Sequence, residues 1–237
     1  MIGPVEGEIA GLDMRVRAWA AWTEGADSLD TGGVIHPAAA LPTSLRRRIT
    51  PMGRKALEAA WTVLAGRQGP EPRIILSSRH GEYVRTQGLL SSLAESGEVS
   101  PAEFSLAVHH GLAGLLSIAT GNRAGHTAIA AGADSLPSAL TEAAACLAEG
   151  DHSVLVMHFD EALPRSYALA GGEAEPSLAL ALLLSAHDGE GFGLTWQPAP
   201  APGGDCAALA LLGLLRGGRG PVRAVGKRMA WSFRHVA

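Results

Sequence analysis

The sequence is short of cysteine, of aromatic residues, of basic runs and of long apolar stretches, and each shortage excludes something. Only Cys146 and Cys206 are present in 237 residues. Two thiols far apart in sequence make neither a disulfide scaffold nor a zinc site, and they suit a reducing compartment. Aromatic residues are 5% of the chain, too few for a base-stacking surface. Arg46-Arg47-Arg48 is the one basic cluster in a chain of net charge −4, which argues against a nucleic-acid footprint. The longest apolar run, 178–184, is far below the ~20 residues that cross a bilayer. The N-terminal segment has no basic–apolar–small secretory pattern. Gly171-Gly172 and Gly217-Gly218 lack the Lys-Ser/Thr that would follow in a phosphate loop. The expectation is a cytoplasmic protein with no membrane span, no nucleic-acid partner, no metal and no cofactor.

What is present is a rather apolar globular chain, 47% hydrophobic and 18% charged, long enough for a sizeable core built from Ala, Leu and Gly. Residues 14–22 alternate and read as a strand. A Gly/Asp/Pro-rich loop follows over 25–41. Thr43-Ser44 is placed to cap a helix whose regular part begins near Arg54 with Ala56, Leu57, Ala60, Trp61 and Leu64 on one face. Residues 73–77 form a short buried strand and 88–96 a helix ended near Gly97. Ser100-Pro101-Ala102-Glu103 is a helix start, and one helix is expected from there to Gly121. Residues 136–149 read as a helix and 153–159 as a strand buried on both faces. Residues 170–176 read as a loop, and 178–186 with 193–197 as a pair of adjacent strands. A linker over 199–204 leads to a last helix capped by Asp205, then a closing strand over 230–236. Strands and helices alternate, which predicts an α/β layered fold: residues 1–198 as the main domain, with 199–237 packing on it.

The segment His126-Thr127-Ala128-Ile129-Ala130-Ala131-Gly132-Ala133-Asp134-Ser135-Leu136 reads as a strand–turn–helix elbow, a shape that often presents a nucleophile. Several stretches resemble β-ketoacyl synthases: LRRRITPMGRKALEAAWTVL (45–64), SPAEFSLAVHHGLAGLLSIATG (100–121), the elbow HTAIAAGADSL, LAEGDHSVLVMHFDEAL (147–163) and SLALALLLSAHDGEGFGLTWQ (177–197). They occur in order with matching spacing and are similar to the amino-terminal half of that thiolase-like family. The resemblance implies a thiolase-like half fold, a layered mixed sheet flanked by helices. Its spacing puts the family's nucleophilic cysteine at Ala133, which has no group to activate. The family's two histidines and lysine come from a carboxy-terminal half for which residues 198–237 offer no match; His235 stands alone.

The resemblance therefore implies a non-catalytic subunit, similar to the small chain-length-factor-like proteins of aryl polyene, pigment and type II fatty-acid or polyketide pathways. Its partner would be a full-length β-ketoacyl synthase in a heterodimer, with acyl carrier protein reached through the complex. The expected tunnel and interface residues are Val108, His109, His110, Leu112, Leu115, Leu116, Ala133 and Asp134. Two other functions compete. A stand-alone acyl-thioester enzyme would need a nucleophile–base pair drawn from Ser135, His109, His110 and His126. A carrier-protein docking scaffold would use Arg46–Arg48. Ser135 lies about 200° round a helix from Ala133 and reads as a first-turn structural serine. Asp134 reads as a complement to the helix N-terminus. Cys146 reads as a small core residue. His158-Phe159-Asp160 brings bulk where active relatives have glycines, which implies a filled cavity.

Overall fold

The structure, a computed structural model, describes residues 11–36, 40–163 and 176–236. The loop expected over 170–176, with Gly171-Gly172, lies outside these residues up to position 175.

Nine strands form one mixed sheet: β1 (Gly11–Thr23), β2 (Asp30–Gly33), β3 (Arg73–Ser77), β4 (His126–Ile129), β5 (Val154–Asp160), β6 (Leu178–Ser185), β7 (Glu190–Pro198), β8 (Val222–Val225) and β9 (Met229–His235). Their order is β4-β3-β5-β6-β1-β7-β9-β8, with β2 paired to β1. Strand β3 runs parallel to β4 and β5; the remaining pairs are antiparallel. The helices are α1 (Thr43–Arg46), α2 (Pro51–Leu64), α3 (Tyr83–Ser96), α4 (Pro101–Leu106), α5 (Gly111–Thr120), α6 (Ser135–Ala148) and α7 (Ala207–Leu215).

Two apolar layers sandwich the sheet. Leu57, Ala60, Leu112 and Leu116 from α2 and α5 cover one face, against Ile74, Leu76, Leu155 and Met157. Leu136, Leu140 and Leu147 from α6 and Leu211 from α7 cover the other, against Ile75, Val154, Val156 and Leu182. Alternate residues of one strand thus serve opposite layers, and β5 and β6 are buried along their whole length.

Strand β1 serves both layers by changing face midway. Met14 and Val16 point to the α6 layer; Ala18 and Ala20 point to the α2 layer, with Trp19 and Ala21 taking over the first side. The register with β6 shifts between Val16 and Ala18, the one-residue insertion of a β-bulge. Gly33 and Gly189 press on this bulge. A Cβ on Gly33 would lie 2.3 Å from the Arg17 carbonyl oxygen, and one on Gly189 2.4 Å from that of Val16.

Several expectations are corrected. The 25–41 stretch contains β2, a four-residue strand with no hydrophobic signal of its own. Thr43-Ser44 begins the one-turn α1, which has no side-chain cap; the regular helix starts at Pro51, with Thr50 accepting from the Gly53 amide. Helix α3 begins five residues before its expected start. The single helix expected to Gly121 is two, α4 and α5, because Val108-His109-His110-Gly111 is a run of weak helix formers. Strands β6 and β7 are not paired: β1 lies between them. Cys206, not Asp205, occupies the cap position of α7, and the Asp205 carboxylate accepts from the Val225 amide at 2.9 Å. Strand β8 was not anticipated.

Candidate functional site at the elbow

Strand β4 leads through a single 3₁₀ turn, Gly132–Asp134, into α6. Gly132 has φ +62, a left-handed conformation that favours glycine. Ser135 stitches the turn: its Oγ accepts from the Ala131 amide at 2.9 Å and donates to the Gly132 carbonyl at 2.7 Å. Both roles of the hydroxyl are taken and Ser135 is 1% exposed, so it is not available as a nucleophile. Asp134 makes no cap. Its Oδ1 accepts from the Trp231 indole at 2.7 Å, tying the elbow to β9.

At the tip, Ala133 borders a cavity of about 10 Å³ together with Gly132, Leu136, His158, Asp160 and Cys206–Ala208. That is at the lower limit for a single water molecule. Helix α7 and the end of β5 thus fill the space in front of the elbow. His158 and Asp160 belong to the end of β5.

Behind this plug lies a buried polar network. Ser77 Oγ and His158 Nδ1 are 2.6 Å apart, and His158 Nε2 is 3.5 Å from Asp160 Oδ2. Asp160 Oδ1 accepts from Ser78 Oγ at 3.0 Å and from the amides of Arg79 and His80 at 2.7 and 3.3 Å. The order Ser–His–Asp is that of a hydrolytic triad, yet Ser77 is 0% exposed and no substrate reaches it. The network instead fixes the 78–81 loop. Burial lowers the His158 pKa, against the attraction of Asp160 and the bond at Ser77, so the imidazole is neutral at pH 7. Burial raises the Cys146 thiol pKa, consistent with its place in the core.

The remaining expected site residues fall in a separate place. His109 and His110 stand in the break between α4 and α5, not on a helix. The His109 ring covers Gly81, where a Cβ would meet its Cε1 at 3.4 Å. His110 is exposed and lies 5.8 Å, ring to ring, from His126 on β4. Val108 is exposed. Leu112 and Leu116 point inward to the sheet, with Leu115 half-buried beside them. Leu112, Leu115 and Leu116 therefore belong to the α2 layer, and Leu136 just after the elbow to the α6 layer. No group of three or more His, Cys, Asp or Glu that could hold a metal occurs among the described residues. No helix among them is long and apolar enough to cross a membrane.

Sequence reasoning missed Arg85, the one buried residue of α3. Its guanidinium donates to Glu82 and Glu103 and to the Arg48 carbonyl. The Glu82–Arg85 spacing of three on a helix was the available signal.

An elbow of this form, between a parallel strand and a helix in a mixed sheet with helices on both faces, matches the thiolase-like ketosynthase fold. Residues 19–208 match the profile of the beta-ketoacyl synthase N-terminal domain, and the chain belongs to that family. No curated protein sequence matches it. Among solved structures, it is 26% identical to a chain of the ketosynthase in complex with its chain length factor from Xenorhabdus doucetiae, with a TM-score of 0.78, covering 94% of this chain and 99% of that one. The ishigamide ketosynthase/chain length factor gives 13% identity and a TM-score of 0.57, over 80% of this chain and 68% of that one. A beta-ketoacyl synthase from Burkholderia phymatum STM815 gives 13% and 0.59, over 86% and 69%. The last two likenesses show the thiolase-like fold alone.

Proposed function

We propose that this chain is a chain-length-factor subunit without a nucleophile of its own. It pairs with a full-length β-ketoacyl synthase and bounds the tunnel that receives the growing acyl chain, in an aryl-polyene-type pathway of the cytoplasm. The observation that carries this reading is the elbow: Ala133 at its tip, the Ser135 hydroxyl consumed, and the space in front reduced to about 10 Å³. The likeness to a chain of the Xenorhabdus ketosynthase and chain length factor complex, over 94% of this chain and 99% of that one, supports the subunit reading.

The partner-facing surface on this reading is the edge of β4 with the α3–α4 hairpin. Strand β4 pairs only with β3 among the described residues, and such an edge offers backbone groups to a second chain. Helices α3 and α4 pack on each other and leave Leu90, Leu93, Val99 and Phe104 exposed, at 55, 51, 41 and 61%. Apolar residues projecting together on one hairpin fit a covered interface. Val108, half-buried Leu115 and His109 at the foot of this hairpin would form the tunnel wall, with His110, Ala133 and Asp134 near the seam. Leu112 and Leu116 hold the wall to the sheet.

The test is co-expression with the ketosynthase encoded beside this chain, followed by light scattering. A clean one-to-one complex supports the proposal. A stable monomer that ignores the ketosynthase overturns it and redirects attention to acyl-thioester turnover by the chain alone or to carrier-protein binding at Arg46–Arg48.

A further inference from the structure

A groove of about 470 Å³ opens between the loop 47–50 and the α3–α4 hairpin, on the scale of small-molecule sites. Its lining mixes two chemistries. Exposed Arg47 and Arg48 and the Arg85 side chain, which is 6% exposed, are cationic, while Ile49, Val84 and Leu89 are apolar. At Gly88, on the groove wall, an added Cβ would meet nothing within 4 Å.

The partners of Arg85 are unequal. Glu82, 3% exposed, accepts from its Nε at 2.9 Å and also accepts from Thr50 Oγ1 at 2.5 Å. The Arg48 carbonyl accepts from Nη2 at 2.8 Å. Both contacts are internal and fixed. Glu103 accepts from Nη1 with a side chain 52% exposed. Glu82 already compensates the buried cation, so this last, solvent-facing pair adds little. A guanidinium offers five N–H donors in a fork that suits carboxylate and phosphate oxygens.

We infer that this groove binds an amphipathic anion, a single carboxylate or phosphate head on an apolar tail, with Glu103 as the internal stand-in for the head group. The head sits between Arg48 and Arg85, displacing the Glu103 carboxylate toward water. The tail lies along Ile49, Val84 and Leu89 over Gly88. The site is apart from the elbow but lies against the α3–α4 hairpin assigned above to the partner; it is tested on the chain alone, so its failure leaves the pairing untouched.

The test is calorimetric titration of the full chain with decanoate, decyl phosphate and decanol. Saturable one-to-one binding of an anionic probe, at least tenfold tighter than decanol, is expected. The tighter of the two anions identifies the head group as an acyl carboxylate or a phosphate ester. Glu103→Gln removes the competitor and is expected to tighten binding about fivefold. Arg47→Ala with Arg48→Ala is expected to weaken it tenfold or more. Gly88→Phe fills the groove from an exposed helix position and is expected to abolish binding with helix content unchanged by circular dichroism. Decanol binding as tightly as the anions, Glu103→Gln leaving affinity unchanged or lower, or Gly88→Phe without effect would each overturn the inference.

Discussion

Asp160 shows how much of this molecule turns on single polar groups. Its Oδ1 accepts three hydrogen bonds from the 78–80 segment at 6% exposure. Asp160→Ala leaves buried donors unpaired and should cost about 3 kcal/mol, read as a lowered midpoint in urea unfolding. Its neighbour His158 sets a pH dependence. The unfolded chain protonates this side chain near pH 6.5, while burial holds the folded-state value lower. Below pH ~6.5 the unfolded state therefore binds more protons, and stability falls as pH drops toward the folded-state value. His80, also lowered by burial, adds a slope of the same sign. Glu161, whose carboxyl is raised by burial, acts oppositely: above the ordinary carboxylate value the folded state binds more protons, so acid is stabilising there. His158→Gln should flatten the decline between pH 6.5 and 5.5 in denaturant titrations. An unchanged slope would remove His158 as its source. His158 and Asp160 stood out in the sequence as bulk after an apolar strand; their bond to Ser77 and their hold on the loop did not, since neither depends on spacing along the chain.

At the scale of elements, local chemistry was legible and long-range approach was not. The Ser100 cap with Pro101 and Glu103, the bounds of β3, and the left-handed Gly97 and Gly121 that end α3 and α5 all follow from residues within one turn. The elbow was readable because a β-branched run passes through Gly132 into a helical pattern. Strand β1 misleads in the opposite way. Met14, Val16 and Ala18 alternate as if on one face, but the bulge at Arg17 moves Ala18 to the other. Its cause lies in β2 and in the turn before β7, where glycines alone permit the backbone to approach. Gly33→Ala and Gly189→Ala, each at positive φ (+77 and +116) and each clashing with β1 carbonyls, should cost about 2 kcal/mol apiece. Thermal unfolding measures this, and Gly88→Ala, at an open helical position, serves as the control that does not destabilise. The separation of β6 from β7 was hidden for the same reason: a short turn predicts a hairpin, and only β1, more than a hundred and fifty positions away, displaces it.

For the whole molecule, the decisive contrast is between a finished core and an unfinished surface. Both faces of the central strands are buried, the elbow is plugged by α7 and β5, and β9 extends the sheet beyond β7. The α3–α4 hairpin, in contrast, carries Val84, Leu90, Leu93, Val99 and Phe104 into solvent. If that hairpin meets a ketosynthase, Leu93→Asp with Phe104→Asp should leave the isolated chain within about 0.5 kcal/mol per substitution of its original stability, yet weaken the complex tenfold or more. Sedimentation at increasing dilution separates the two effects. Val108 then tests the tunnel itself. At 37% exposure it tolerates a change of size without disturbing Leu112 or Leu116 beneath, so a product change at this position reports on the tunnel and not on the fold. Val108→Trp should shorten the acyl chain released by the complex and Val108→Ala lengthen it, as read by mass spectrometry of the products. If both variants form the complex and give the same chain length as the parent, this surface pairs with the synthase without bounding its tunnel.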